Sequence, residues 1–124
     1  MSVQATSTEF KTFAKPDEVR TFEKGKIELI RIGNTDVGRM TLEPGWQWSK
    51  HVKPLVKTEW CQVAHFGYHI SGRLHVRMVD GQEFEFGPGT MENVPPGHDA
   101  WVVGNEPVVL LDLEGAREYA VRKR

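Results

Sequence analysis

Apolar and polar residues alternate along this chain in short runs, and a turn signal interrupts them every 8 to 15 residues. Period-two runs of this length predict β-strands, here over roughly 18–23, 26–32, 37–43, 46–52, 60–70, 73–79, 82–86, 91–94, 99–103 and 107–113. Between them stand Lys24-Gly25, Gly33-Asn34, Pro44-Gly45, Asp80-Gly81, Gly87-Pro88-Gly89, Pro95-Pro96-Gly97 and Gly104-Asn105. Proline fixes φ and glycine reaches conformations other residues avoid, so these pairs mark bends. Evenly spaced short strands argue for an all-β sandwich or barrel. Residues 1–15 read as a polar lead-in, 16–124 as one domain, and only 115–121 suggests a short terminal helix.

Two segments carry more than a strand assignment. Around Asp80-Gly81, a two-residue loop sets Met78 against Glu83 and Val76 against Glu85, mixing apolar and acidic side chains on one face. A three-residue loop, Val79-Asp80-Gly81, pairs Val76 with Phe84 and Leu74 with Phe86, with glycine at the left-handed position. The three-residue loop is the consistent one. In 60–70 the odd positions are Cys61, Val63, His65, Gly67 and His69, and the even ones include Trp60, Phe66, Tyr68 and Ile70. An inward odd face makes the interior polar and leaves an apolar exterior in need of cover; an inward even face makes an ordinary core. Periodicity leaves both open.

Composition narrows the classes. With 124 residues, 17 acidic against 16 basic, the chain supports one core and offers no electrostatic case for nucleic acid or an anionic membrane. The basic end, Arg117, Arg122, Lys123 and Arg124, reads as a solvated terminus. Val108–Leu111 is the longest apolar run, far short of a membrane span, and the first residues do not form a signal peptide. A single cysteine fits a reducing, cytoplasmic setting.

The glycine, proline and histidine spacing resembles the two motifs of the cupin superfamily. Gly89, five residues and Pro95-Pro96-Gly97 match the first half of the second motif. Gly45 followed by His51, and Tyr68-His69-Ile70-Ser71-Gly72-Arg73, resemble the start and end of the first. The resemblance implies a double-stranded β-helix, or jelly roll, a homodimer, and a divalent metal held by two histidines, a glutamate and a final histidine. His51 stands at the first ligand position, Lys53 at the second, His65 at the glutamate and Ala100 at the last, with His98 two residues earlier. Glu59 becomes the glutamate if Gly67 replaces Gly72.

The expected ligand set is therefore His51, His65 and His98, with Zn, Fe, Ni, Mn and Cu all admissible, and Asp99 or Glu92 orienting a ligand. Lys53, Cys61, His69 and Trp101 are the further pocket candidates. His69 and Cys61 each lie four residues from His65, about 13 Å along an extended strand, too far to share an ion. No base for a Cys61 nucleophile is readable, so a small buried thiol is its expected role. Two functions remain. One is a metal-binding cupin acting on or binding a small organic molecule. The other is a non-enzymatic binding module with a metal-free polar cavity, in which Lys53 meets a carboxylate.

Overall fold

The computed structural model describes residues 7–122. The first six residues of the lead-in, and Lys123 and Arg124 of the basic end, lie outside them. Nine strands run in the order β1 (Glu18–Phe22), β2 (Gly25–Ile32), β3 (Thr35–Leu42), β4 (His65–Ser71), β5 (Arg73–Met78), β6 (Glu83–Phe86), β7 (Met91–Val94), β8 (His98–Val103) and β9 (Val108–Glu114). Two one-turn helices, α1 (Trp48–His51) and α2 (Lys53–Val56), stand between β3 and β4. A six-stranded sheet of order β1-β2-β3-β9-β4-β7 faces a three-stranded sheet of order β6-β5-β8, and the described ladders are antiparallel. This is an all-β jelly roll.

Its core lies between the sheets. Ile27 and Leu29 of β2, Met40 and Leu42 of β3, Val76 of β5, Ala100 and Val102 of β8 and Val108 of β9 all point inward. The three-residue hairpin forms as read: Val76 pairs with Phe84 and Leu74 with Phe86, and Gly81 takes φ 94°. Residues 7–15 contain no strand or helix; Phe13 lies under the Arg39 guanidinium at 4.7 Å, on the outer face of the large sheet.

The segment 46–52 is not a strand. Trp48, Val52 and Val56 recur every four residues, and the first two are buried, a helical spacing that the short run disguised as alternation. Asp99 of β8 accepts the Ser49 N–H (3.0 Å) and the Gln47 side-chain N–H (3.1 Å), supplying from another strand the acceptor that a helix start needs. Lys57 closes α2 in the left-handed conformation, φ 61°. The 115–121 segment forms hydrogen-bonded turns rather than a helix.

In β4 the polar face turns inward. Gly67 and His69 are buried while Phe66, Tyr68 and Ile70 stay about 40% exposed on the outer face. Bulges in the β4–β9 ladder fall between Phe66 and Gly67 and between His69 and Ser71. At the first, a Cβ on Gly67 would lie 2.0 Å from the Leu111 carbonyl oxygen, so only glycine allows β9 to approach. Gly67→Ala is expected to destabilise the fold by about 2 kcal/mol or more through forced separation of β4 from β9. Urea unfolding of the variant checks this, and a midpoint equal to wild type refutes it.

Candidate metal centre

Three side chains converge at one end of the barrel: Cys61, His65 and His98, whose ligand atoms all lie within 4.8 Å of one another. His98 begins β8 directly after the Pro95-Pro96-Gly97 turn. That turn aims it, because the His98 Nδ1–H donates to the Pro95 carbonyl at 2.9 Å. His65 begins β4, and its Nδ1–H donates to Asp112 Oδ2 on β9 at 2.5 Å. With both Nδ1 atoms engaged, each ring presents Nε2 to the cluster. Cys61 joins through a single bridge to β8, its N–H donating to the His98 carbonyl (2.8 Å) and its carbonyl accepting from Gly97 N–H (2.7 Å). Residues 62–64 form no strand. The chain therefore bends where the 60–70 reading ran straight, and Cys61 Sγ comes within 3.8 Å of His65 Nε2.

The electrostatics follow from burial and neighbours. Burial pushes the Cys61 thiol up, but hydrogen bonds and charge from His65 and His98 overcome it and bring it down to about 6. Burial likewise opposes a charged His65; Asp112 and Cys61 reverse this and raise it to about 9. Between those values the pair is thiolate and imidazolium, titrating as a unit. The proton Cys61 gives up is the one His65 holds, so between about 6.5 and 9 folded and unfolded chains carry equal protons at these two groups. The pair therefore adds almost no slope to stability against pH there.

The remaining sequence candidates lie elsewhere. His51 belongs to α1; its Nδ1 accepts the Gln47 backbone N–H (3.0 Å) and its Nε2 faces Glu23 at 3.9 Å, outside the cluster. Of the expected set, His65 and His98 lie together with Cys61, and His51 lies apart because 46–52 coils instead of extending. Lys53 sits on α2 and pairs with the exposed Glu59 at 3.2 Å, so neither enters the cavity. His69 is wholly buried but occupied, bonded to Glu92 (2.5 Å) and the Gly72 carbonyl (2.8 Å). Trp101 stacks on His75 with ring centroids 4.7 Å apart and does not line the cavity behind the cluster. Asp99 caps α1 and Glu92 holds His69; Asp112 is the carboxylate that orients a cluster residue, His65. Only its place in an otherwise apolar run, Val108-Val109-Leu110-Leu111-Asp112-Leu113, marked it.

A cavity of about 50 Å³ lies behind the cluster, lined by His65, His98, Glu92, Asp112, Trp46, Tyr119 and apolar side chains. A groove of about 400 Å³ lies on the other side, lined by Cys61, Trp48 and Val56 among others. Tyr119 lines both, its ring 5.2 Å from that of His65. The Arg20 guanidinium holds its turn by donating to the Tyr119 and Ala116 carbonyls (2.8 and 3.2 Å). Among the described residues, one buried side-chain polar atom has no partner: Nε1 of Trp46, an omission that ordinarily costs about 1–3 kcal/mol.

No family model matches the chain, and no curated protein does. Solved structures do. A cupin-like protein from Thermotoga maritima superposes with TM-score 0.55 at 15% identity, over 78% of this chain and 73% of that one. The fold is that of the cupin superfamily. The oxalate decarboxylase of Lactobacillus farciminis, solved as a formate complex, gives TM-score 0.60 at 20% identity over 79% of this chain. That of Bacillus subtilis, described with Mn(II) centres, gives 0.52 at 27% over 75%. The chain spans only 30% and 26% of those two proteins.

The donor set fits a metal: two neutral-capable imidazole nitrogens and a thiolate, with a buried carboxylate behind one of them. Tetrahedral zinc would hold such donors roughly 3.3–3.6 Å apart, so the cluster needs to contract only modestly. In metal-free protein, the thiolate ultraviolet absorbance is expected to titrate near pH 6, well below the usual thiol value of about 8.5. Asp112→Asn is expected to move that midpoint upward, because a less basic His65 supports the thiolate less. A wild-type midpoint above 8 refutes the pairing.

Proposed function

We propose that this cupin binds a divalent transition metal through Cys61 Sγ, His65 Nε2 and His98 Nε2, and binds or acts on a small organic molecule there. The observation that carries the reading is the tethering of both Nδ1 atoms, to Asp112 and to the Pro95 carbonyl, which turns both Nε2 atoms toward one thiolate. Three protein donors leave one place in a four-coordinate shell, the count typical of catalytic rather than structural zinc. When bound, the metal supplies Lewis acidity to an oxygen of the ligand. The chain's own residues do the rest: Asp112 fixes the His65 ring and takes up its charge, the proline turn fixes His98, and Tyr119 stands between the cavity and the outer groove. A thiolate suits zinc, iron, copper or nickel better than manganese, so the metal expected here differs from the Mn(II) of the B. subtilis decarboxylase.

Elemental analysis of purified protein tests this. Near one equivalent of metal is expected in wild type and in His51→Ala, with loss in Cys61→Ala and His65→Ala. Asp112→Asn is expected to weaken affinity about 10- to 100-fold. Wild type that stays folded yet takes up no zinc or iron on reconstitution overturns the reading.

The affinity carries a pH signature. Between pH 6 and 9 the metal displaces the proton on His65, and below 6 also the one on Cys61. The logarithm of the association constant is expected to rise by about one per pH unit in the window and more steeply below it. Competition with a chromogenic chelator across pH measures the slope, and a flat profile refutes it.

A second reading has its own observation. Cys61, His65 and Asp112 also form a thiol, base and orienting carboxylate, the arrangement of a nucleophile. It supports covalent chemistry on a metal-free protein, and stoichiometric alkylation at neutral pH that slows strongly in His65→Ala is its expected sign. The binding module built on Lys53 loses its footing, since that ammonium is engaged outside the cavity.

A further inference from the structure

The cavity behind the cluster has a polar account with one gap. Asp112 takes the His65 Nδ1–H and the Glu114 backbone N–H; Glu92 takes the His69 Nδ1–H; His98 gives its Nδ1–H to Pro95. Trp46 lines the same cavity at 2% exposure, and its indole N–H has no acceptor among the described residues. Both Asp112 oxygens and one Glu92 oxygen are thus committed to other donors. Much of the remaining wall is aliphatic, with Leu42, Leu74, Val76 and Leu110. About 50 Å³ suffices for a molecule of a few heavy atoms.

We infer that the Trp46 indole N–H is the recognition donor of this site, and that the ligand is a small aliphatic molecule whose carbonyl or carboxylate oxygen accepts from it. The aliphatic body lies against Leu42, Leu74, Val76 and Leu110, and the oxygen completes the one buried donor that the fold leaves open. This deepens the metal-binding reading and rests on it for the metal's share of the ligand's binding. The hydrogen bond to Trp46 itself is independent of the metal.

The test observes that N–H directly. In ¹⁵N-labelled protein the indole resonance of Trp46, assigned by its loss in W46F, is followed with and without cobalt(II). The probes are acetate, isobutyrate and isobutyramide, with isobutylamine as a control that offers no oxygen. A saturable downfield shift confined to Trp46 is expected with at least one oxygen probe, and none with the amine. By calorimetry W46F is expected to bind that probe about fivefold more weakly, the worth of one hydrogen bond. Its melting temperature without ligand should be unchanged or higher, since no internal hydrogen bond is lost. A merely structural Trp46 would lower the melting temperature and leave probe binding alone, which overturns the inference. So does an indole resonance that none of the oxygen probes moves in either metal state. If the thiolate-to-cobalt absorption develops but Trp46 does not respond, the inference fails and the metal reading stands. If Trp46 responds and no cobalt absorption develops, the metal reading fails and the inference stands.

Discussion

The contact between His65 and Asp112 is the one on which the rest of the site depends. Asp112 is completely buried, and a carboxylate so placed is tolerable only when charge and hydrogen bonds surround it. Oδ2 takes the His65 ring and Oδ1 takes the Glu114 N–H. That single requirement fixes the His65 ring orientation, raises its basicity, and through it lowers the Cys61 thiol. It also explains the local backbone. Asp112 sits opposite Gly67, at the bulge where β4 and β9 approach too closely for any side chain, one step from where His65 and Asp112 meet.

The same inversion of polarity runs along β4. His69 and Glu92 form a second buried pair, and their strands also meet in the ladder. Burial works against an imidazolium at His69, yet the Glu92 carboxylate holds it above the usual histidine range. Because side chains alternate with period two, placing histidines inside places Phe66, Tyr68 and Ile70 outside. A one-residue slip would give a greasier core, but it would leave Asp112 and Glu92 without partners in the interior. Removing one partner from a buried charge costs several kcal/mol, and the slip would incur that at both Asp112 and Glu92. The buried pairs hold the register.

Much of the architecture was legible from local chemistry. The turn pairs placed the hairpins, and the acidic residues of 82–86 excluded the two-residue loop. The Gly89 to Pro95-Pro96-Gly97 spacing carried the cupin resemblance, and two of the three cluster residues, His65 and His98, were named as ligands. The failures share one cause. His51 falls on the expected strand 46–52 because Trp46, Trp48 and Val52 share one parity over too short a run to reveal a helical period. The acceptor that starts α1, Asp99, lies some fifty residues away. Cys61 was set apart from His65 by strand arithmetic that holds only while the chain is straight.

What this sequence determines by itself is where the chain turns and which residues have donors to offer, because φ restriction, turn chemistry and alternation are properties of neighbours. Which face of β4 points inward, which helix replaces an expected strand, and which donors converge were decided by tertiary structure. Those outcomes depend on partners distant along the chain: Asp112 for His65, Glu92 for His69, Asp99 for α1, and the Gly97-His98 backbone for Cys61. A buried charge selects its surroundings only when its counterpart arrives, and no local pattern records where the counterpart comes from.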